Sequence, residues 1–177
     1  MSLPHSKVRR VTELLRLGGY AKPMPFLDPA HLKRGQLFHE WTTRYEQDAS
    51  APDPEIAGAF CEAFRRFARA MPRREWRHVE QRLTSEPLQL TGQPDRYGLF
   101  NGHLTVVDWK TGLEAPWHAL QLWLYTMLLT QTGCAVERRV VVYFRKDGAF
   151  RIRRCDQSVD AMKAHQLITD HLHGRFQ

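Results

Sequence analysis

The dipeptide Asn101-Gly102 lies between two alternating runs, Asp95 to Phe100 and His103 to Lys110. An Asn-Gly pair in that setting is the strongest short-range hairpin signal, because a two-residue type I′ turn needs positive φ at both positions. With Phe100 and His103 flanking the turn, cross-strand partners run down to Asp95 opposite Asp108. Counted from the turn, that pair is non-hydrogen-bonded, the kind whose side chains lie closest. Side chains alternate faces along a strand, so Val106, Asp108 and Lys110 share one face. Two facing carboxylates repel. A pair built this way, with a lysine two residues on, is a candidate site for a divalent cation.

The chain of 177 residues is expected to form a single domain over residues 1–177, with 42% hydrophobic residues to build a core. The formal charge of +7 favours a polyanionic partner or an anionic membrane, without deciding between them. Of the 26 basic residues, 20 are arginine and six are lysine. Arginine offers a rigid fork of donors suited to phosphate, although genomic G+C bias enriches it as well. Cys61, Cys134 and Cys155 are scattered and odd in number, which argues against a disulfide framework or a structural zinc site and fits a reducing cytoplasm. No signal peptide is visible. The most apolar stretch, Leu120 to Leu129, is too short to span a bilayer.

Helices are expected over Val8 to Leu17, Ala30 to Gln47, Ile56 to Met71, Pro116 to about Thr132, and Ser158 to His173. Tyr20 to Pro29, with three prolines, reads as a loop. Strands are expected over Glu75 to Leu83, Leu88 to Leu90, Asp95 to Phe100 and His103 to Lys110, as an antiparallel meander, and then over Val136 to Arg145 and Ala149 to Arg154. The fold class is therefore α/β, with one mixed central β-sheet flanked by helices.

Pro94-Asp95 followed by Asp108-Trp109-Lys110 resembles the signature of the PD-(D/E)XK nuclease superfamily. Two further motifs extend the resemblance to its RecB-type, phage-like exonuclease branch. Gly35 to His39 is similar to that branch's first helix, with glycine four residues before histidine, and Gln121 to Tyr125 is similar to its QxxxY motif. Together, in this order, the motifs are far more specific than the triad alone. The resemblance covers roughly Val8 to Arg154. It implies a restriction-endonuclease-like core and a Mg²⁺- or Mn²⁺-dependent deoxyribonuclease. It also implies that His39, Asp95, Asp108 and the backbone carbonyl of Trp109 ligate the metal, and that Lys110 acts on the attacking water. Gln121 and Tyr125 would line the site. Glu80, read here on the first strand, stands where some relatives carry a glutamate. Relatives acting in CRISPR adaptation hold an iron–sulfur cluster on four cysteines, which this chain does not supply.

Chemistry supports these roles separately. Phosphodiester hydrolysis needs a nucleophilic water and neutralisation of the phosphorane-like charge, which divalent cations provide. Mg²⁺ takes hard oxygen ligands, and a histidine ligand suits Mn²⁺ better. Several residues keep a plainer alternative. Glu80 could be a solvent-facing or salt-bridged glutamate, and Gln121 and Tyr125 could be a buried amide and phenol satisfied internally. Arg65, Arg66 and Arg69 fit a solvated helix face, and Arg96 is expected to point away from the site. The expected substrate is DNA, degraded by an exonuclease activity that works beside a recombination or single-strand-binding partner. The rivals are a structure-specific or restriction-type endonuclease and a non-catalytic nucleic-acid-binding protein on the same fold.

Overall fold

The computed structural model describes residues 8–21 and 29–176, so most of the expected loop from Tyr20 to Pro29 lies outside the described residues. Five strands form the main sheet: β2 (Arg74–Val79), β5 (Arg96–Phe100), β6 (His103–Lys110), β7 (Arg138–Phe144) and β8 (Phe150–Arg154), in the order β2-β5-β6-β7-β8. A smaller sheet has the order β1-β4-β3, from Arg9–Arg10, Leu90–Gly92 and Leu83–Ser85. The helices are α1 (Val11–Leu17), α2 (Pro29–Gln47), α3 (Gly58–Ala70), α4 (Trp117–Gln131) and α5 (Ser158–Leu172). This is the expected mixed α/β class with a central mixed sheet flanked by helices. Among the described residues no helix is long and apolar enough to cross a membrane.

The hairpin joining β5 and β6 has the expected register, from Phe100↔His103 to Arg96↔Val107. Its turn residues have φ of 49° at Asn101 and 81° at Gly102, as a type I′ turn requires. One step beyond the last paired residues, the register sets Asp95 opposite Asp108. β6 then runs parallel to β7, with α4 as the crossover between them. Alternation along β6 and β7 divides the core. Val106, Val141 and Tyr143 pack with α1, α4, α5 and the small sheet. Val107, Trp109, Val140, Val142 and Phe144 pack with α2 and α3. On that second face Trp109 meets Phe64 and Phe67 edge-on, with ring centroids 5.8 and 5.3 Å apart.

The expected four-strand meander is not what forms. Glu80 lies just past β2 with φ 49°, a backbone conformation that turns the chain out of the main sheet. Glu80 is therefore not a strand residue. β3 and β4 pair with each other instead, and β1 adds in parallel to β4 through Arg9↔Leu90 and Arg10↔Thr91. That parallel pairing draws Arg9 and Arg10 into a strand and delays the first helix from Val8 to Val11.

A second device sets the register between β2 and β5. Trp76 pairs with Gly98 and His78 with Tyr97, so Arg77 is an extra, bulged residue. A one-residue slip reverses the faces beyond it, and Val79 pairs with Arg96 as a result. The Glu80 N–H then donates to the Asp95 carbonyl at 3.0 Å. The bulge is possible because residue 98 is glycine: a Cβ there would stand 2.1 Å from the Glu75 carbonyl oxygen and 2.8 Å from the Arg77 nitrogen. Gly98→Ala is expected to destabilise the fold by about 1–3 kcal/mol through overpacking against backbone. A urea-denaturation midpoint equal to the parent's would show that β2 does not depend on this close approach.

Candidate active site

Three strand termini meet at one end of the main sheet: the C-terminal end of β2, the N-terminal end of β5 and the C-terminal end of β6. They carry Glu80, Asp95, and Asp108 with Lys110. α2 packs on one face of the sheet through Phe38 and Trp41 and brings His39. α4 packs on the other face and brings Gln121 and Tyr125. Among the described residues, His39, Glu80 and Asp95 offer ligand atoms that all lie within 4.8 Å of one another. His39 Nδ1 is 3.3 Å from Glu80 Oε1 and 3.2 Å from Asp95 Oδ1. An open cleft of about 670 Å³ reaches this cluster, lined by Gln36, His39, Glu40, Thr43, Glu80 and Gln93 among others.

Asp95 is the most engaged of these groups. Its Oδ2 accepts the Trp109 N–H at 2.5 Å, and its carbonyl accepts both the Glu80 N–H and the Arg96 guanidinium, the latter at 2.7 Å. Burial pushes the Asp95 carboxyl upward, but His39, Lys110 and the Trp109 N–H more than reverse this and hold it below its ordinary value. Asp108 has Lys110 Nζ 2.6 Å away. Burial nevertheless raises Asp108 to about 6, with Asp95 adding to the rise and Lys110 opposing it. For His39, burial favours the neutral ring, but Asp95 and Glu80 outweigh it and lift the imidazole to about 10. Lys110 is raised as well, because Asp108 and Asp95 overcome its desolvation. The facing carboxylates expected to repel therefore each hold a cation of their own, His39 for Asp95 and Lys110 for Asp108.

On α4, Gln121 Nε2 donates to the Tyr125 hydroxyl at 2.9 Å, one helical turn on. Gln121 Oε1 is buried without a hydrogen-bond partner among the described residues. Burial raises the Tyr125 phenol well above its usual value, and the charges of Asp108 and Asp95 add to the effect, so the phenol stays neutral next to the carboxylates.

The structure also brings in residues that the sequence reading left out. Arg96 does point to the opposite sheet face, where it stacks over Trp109 at 5.8 Å. It is nonetheless part of the site's support. Fully buried, it binds Glu46 Oε2 at 2.8 Å, the hydroxyls of Thr42 and Thr43 at 3.2 and 3.1 Å, and Glu80 Oε1 at 3.4 Å. Gln93 is a second such residue and donates to Glu80 Oε2 at 3.1 Å. Alternation revealed where Arg96 points, but it carried no sign that Thr42, Thr43 and Glu46 would gather around it. Trp109 contributes its N–H to Asp95, with its indole in the aromatic core on the far face.

Residues 51–174 match the family model of the PD-(D/E)XK nuclease superfamily. The chain belongs to that superfamily. The matched segment contains Glu80, Asp95, Asp108, Lys110, Gln121 and Tyr125 and leaves His39 outside it. The fold of this nuclease-family chain is similar to a crystal structure from Eubacterium rectale described as a "Putative exonuclease". The TM-score is 0.62 at 12% identity, over 100% of this chain and 89% of that one. The crystal structure of SSO0001 aligns over 98% of this chain and 78% of its own length, at 16% identity and a TM-score of 0.45. A search of curated proteins gives no match.

Nucleases of this superfamily use divalent metals, and the donor set of this member fits one. Ligands about 2.1 Å from a small cation lie at most about 4.2 Å apart across it, and Glu80 Oε1 and Asp95 Oδ1 already stand 3.3 and 3.2 Å from His39 Nδ1. Carboxylate oxygens are hard ligands of the kind divalent cations take.

Two outcomes follow from the buried groups around this site. Arg96→Met is expected to cost about 3–5 kcal/mol, because it removes the close cation of Glu46 and leaves it only Arg74, 4.0 Å away. Adding Glu46→Gln, which keeps an acceptor for the Trp76 indole, should recover a large part of that loss in denaturant titrations. Equal stability of the single and double variants would contradict the ion-pair account. His118 gives the second outcome. It is buried near Tyr143 and Lys110, and burial lowers it to about 3, with Lys110 and Arg153 adding to the effect. The unfolded chain therefore takes up this proton first. Its stabilising contribution is full above about 6.5 and falls as pH drops toward 3, at about 1.4 kcal/mol per pH unit. His118→Gln should flatten the acid limb of the stability profile by that slope, and superimposable limbs would contradict a neutral buried imidazole.

Proposed function

We propose that this chain is a Mg²⁺- or Mn²⁺-dependent DNA exonuclease of the RecB-type, phage-like branch, with residues 1–177 acting as one nuclease domain. The observation that carries the reading is the convergence of His39, Glu80 and Asp95 beside the Asp108–Lys110 pair at one sheet end. The branch assignment rests on the Gly35-to-His39 motif, whose histidine reaches Asp95, and on the hydrogen-bonded Gln121–Tyr125 pair. The description of the similar Eubacterium rectale structure as a "Putative exonuclease" is in keeping with the same choice.

Glu80, Asp95 and Asp108 would hold the cation together with His39, whose ring must release the proton it carries in the metal-free site, and with the Trp109 carbonyl as a further oxygen. When bound, the cation supplies Lewis-acid polarisation of the phosphate and a water made nucleophilic at neutral pH. Lys110 remains an ammonium beside Asp108, so its part is to orient the attacking water and offset charge in the transition state. Tyr125 stays a neutral phenol whose hydroxyl hydrogen is free, since its oxygen already accepts from Gln121, and it can donate to a substrate oxygen. The orphaned amide atom of Gln121 is a second group able to bind substrate or its water. Glu80, expected as a catalytic residue, serves in this reading as a ligand held by Gln93 and Arg96.

The test uses end-labelled linear DNA and covalently closed circles, each with Mg²⁺, Mn²⁺ or EDTA. Linear DNA should be degraded only with metal, and closed circles should survive. Asp108→Ala and Lys110→Ala should each lower the rate by about 10²- to 10⁴-fold. Equal cutting of circles and linear DNA would make it an endonuclease. Binding without metal-dependent cleavage would make it a non-catalytic nucleic-acid-binding protein.

A further inference from the structure

The three-stranded sheet has no part in the chemistry described above, yet it stands against the site. Its registers set Arg10 beside Thr91 and Leu83 beside Gly92, which places Arg82, one residue before β3, beside Gln93. Arg82 Nη2 reaches Gln93 Oε1 at 3.5 Å, and the other end of the same amide holds Glu80. Between the two arginines lies a cleft of about 140 Å³, lined by Arg10, Thr12, Arg82, Thr91, Gln93 and Tyr125 among others. That is the room of about four to five waters at about 30 Å³ each, enough for a phosphate group. Gln93 lines both this cleft and the one leading to His39 and Glu80, and Tyr125 belongs to both the cleft and the site.

The charges here differ from those of the adjacent Arg9 and of the α3 arginines. The adjacent Arg9 is tied to Glu13 and to the Phe176 carbonyl, and Arg65, Arg66 and Arg69 are tied to Glu62 or Asp53. Arg10 and Arg82 are exposed and have no carboxylate partner among the described residues. Two guanidinium forks facing one small cleft suit a tetrahedral oxyanion, because each fork can give two parallel hydrogen bonds to phosphate oxygens. The cleft is also held in shape. A Cβ on Gly92 would stand 2.8 Å from Tyr125 Cε1 and 2.9 Å from Val11 Cγ2, so β4 lies directly against α1 and α4.

We propose that Arg10 and Arg82 form a subsite for one phosphate of the substrate strand, next to the phosphate held at the carboxylate cluster. The proposal rests on the nuclease reading only in taking the bearer of that phosphate to be a nucleic acid. The phosphate is either a terminal phosphomonoester or an internal phosphodiester of the strand. With it seated, the strand would run from the small sheet past Gln93 and Tyr125 toward Asp95 and Asp108.

The test measures binding of 3′-labelled oligonucleotides in EDTA, where no cleavage occurs, by fluorescence anisotropy across a salt series. Arg10→Gln and Arg82→Gln are exposed substitutions, and matching thermal melts would establish that both proteins fold. Each should raise Kd by about tenfold. The double variant should lower the slope of log Kd against log salt by about 0.7 to 0.9, the value for one lost phosphate contact. Arg66→Gln, the same charge change on α3, should stay within about twofold of the parent. A loss confined to 5′-phosphorylated strands would identify the terminal phosphate, and an equal loss with 5′-hydroxyl strands an internal one. Variants that bind no more weakly than Arg66→Gln would overturn the subsite, whether or not the protein cleaves DNA. A parent protein that fails to cleave while the arginine variants lose binding would remove the catalytic reading and leave the subsite standing.

Discussion

Asp95 is the residue on which the strand ends converge. Its carbonyl takes the Glu80 N–H from the end of β2 and the guanidinium of its own neighbour, Arg96. Its carboxylate takes the Trp109 N–H from β6 and faces the His39 imidazole from α2. Four segments far apart in sequence are thus joined through one residue, and only a buried residue can hold so many directional contacts in fixed geometry. Burial carries a cost, because an unpaired carboxylate in the interior is strongly destabilised. Here the charge is met by hydrogen bonds and a cation, which keep Asp95 ionised.

The site results from two strand registers. The β5–β6 hairpin carries Asp95 to Asp108, and the bulged β2–β5 pair carries Glu80 to Asp95. The first needs a turn that tolerates positive φ twice, and the second needs a glycine where β2 crowds β5. Together they bring three carboxylates to one strand end, an arrangement that would destabilise the fold if left uncompensated. His39 and Lys110 supply the compensation locally, so the pocket is assembled before any cation arrives. Asp108, with its carboxyl lifted to about 6, is the less fully compensated of the facing pair.

The hairpin and its register were legible in the sequence because Asn-Gly and strict alternation are local signals. The two core faces followed from the same alternation, since Val106 and Trp109 could only go opposite ways. The bulge was not legible. Arg77 looks like any strand residue, and what makes it extra is a close approach of Gly98 that only the paired strands create. The small sheet was missed for a related reason. β1 has two residues and β3 and β4 have three each, too short to show a period, and the departure from the main sheet depends on one positive φ at Glu80. Of the site, the acidic pair, the lysine and the helical histidine stood out as motifs. Glu80 was a candidate from the resemblance, though it was expected on a strand; the structure added Arg96 and Gln93 as its partners, and neither carries a local signature.

The position of His39 shows how directional and non-directional forces divide the work. Phe38 and Trp41 anchor α2 in a bed of aromatic rings, but such packing tolerates small slides and rotations of a helix. Arg96 removes that freedom. Its guanidinium binds the hydroxyls of Thr42 and Thr43, and both hydroxyls in turn donate to the His39 carbonyl, at 2.8 and 3.3 Å. Glu46, a turn further along α2, holds the same guanidinium from its other edge. The chain of contacts runs from the residue after Asp95, through α2, to the backbone of His39, whose ring returns to Asp95. A closed loop of this kind fixes the separation of the imidazole and the carboxylate more tightly than the aromatic core could. It also gives a side chain on the far face of the sheet a direct hold on the geometry of the near one.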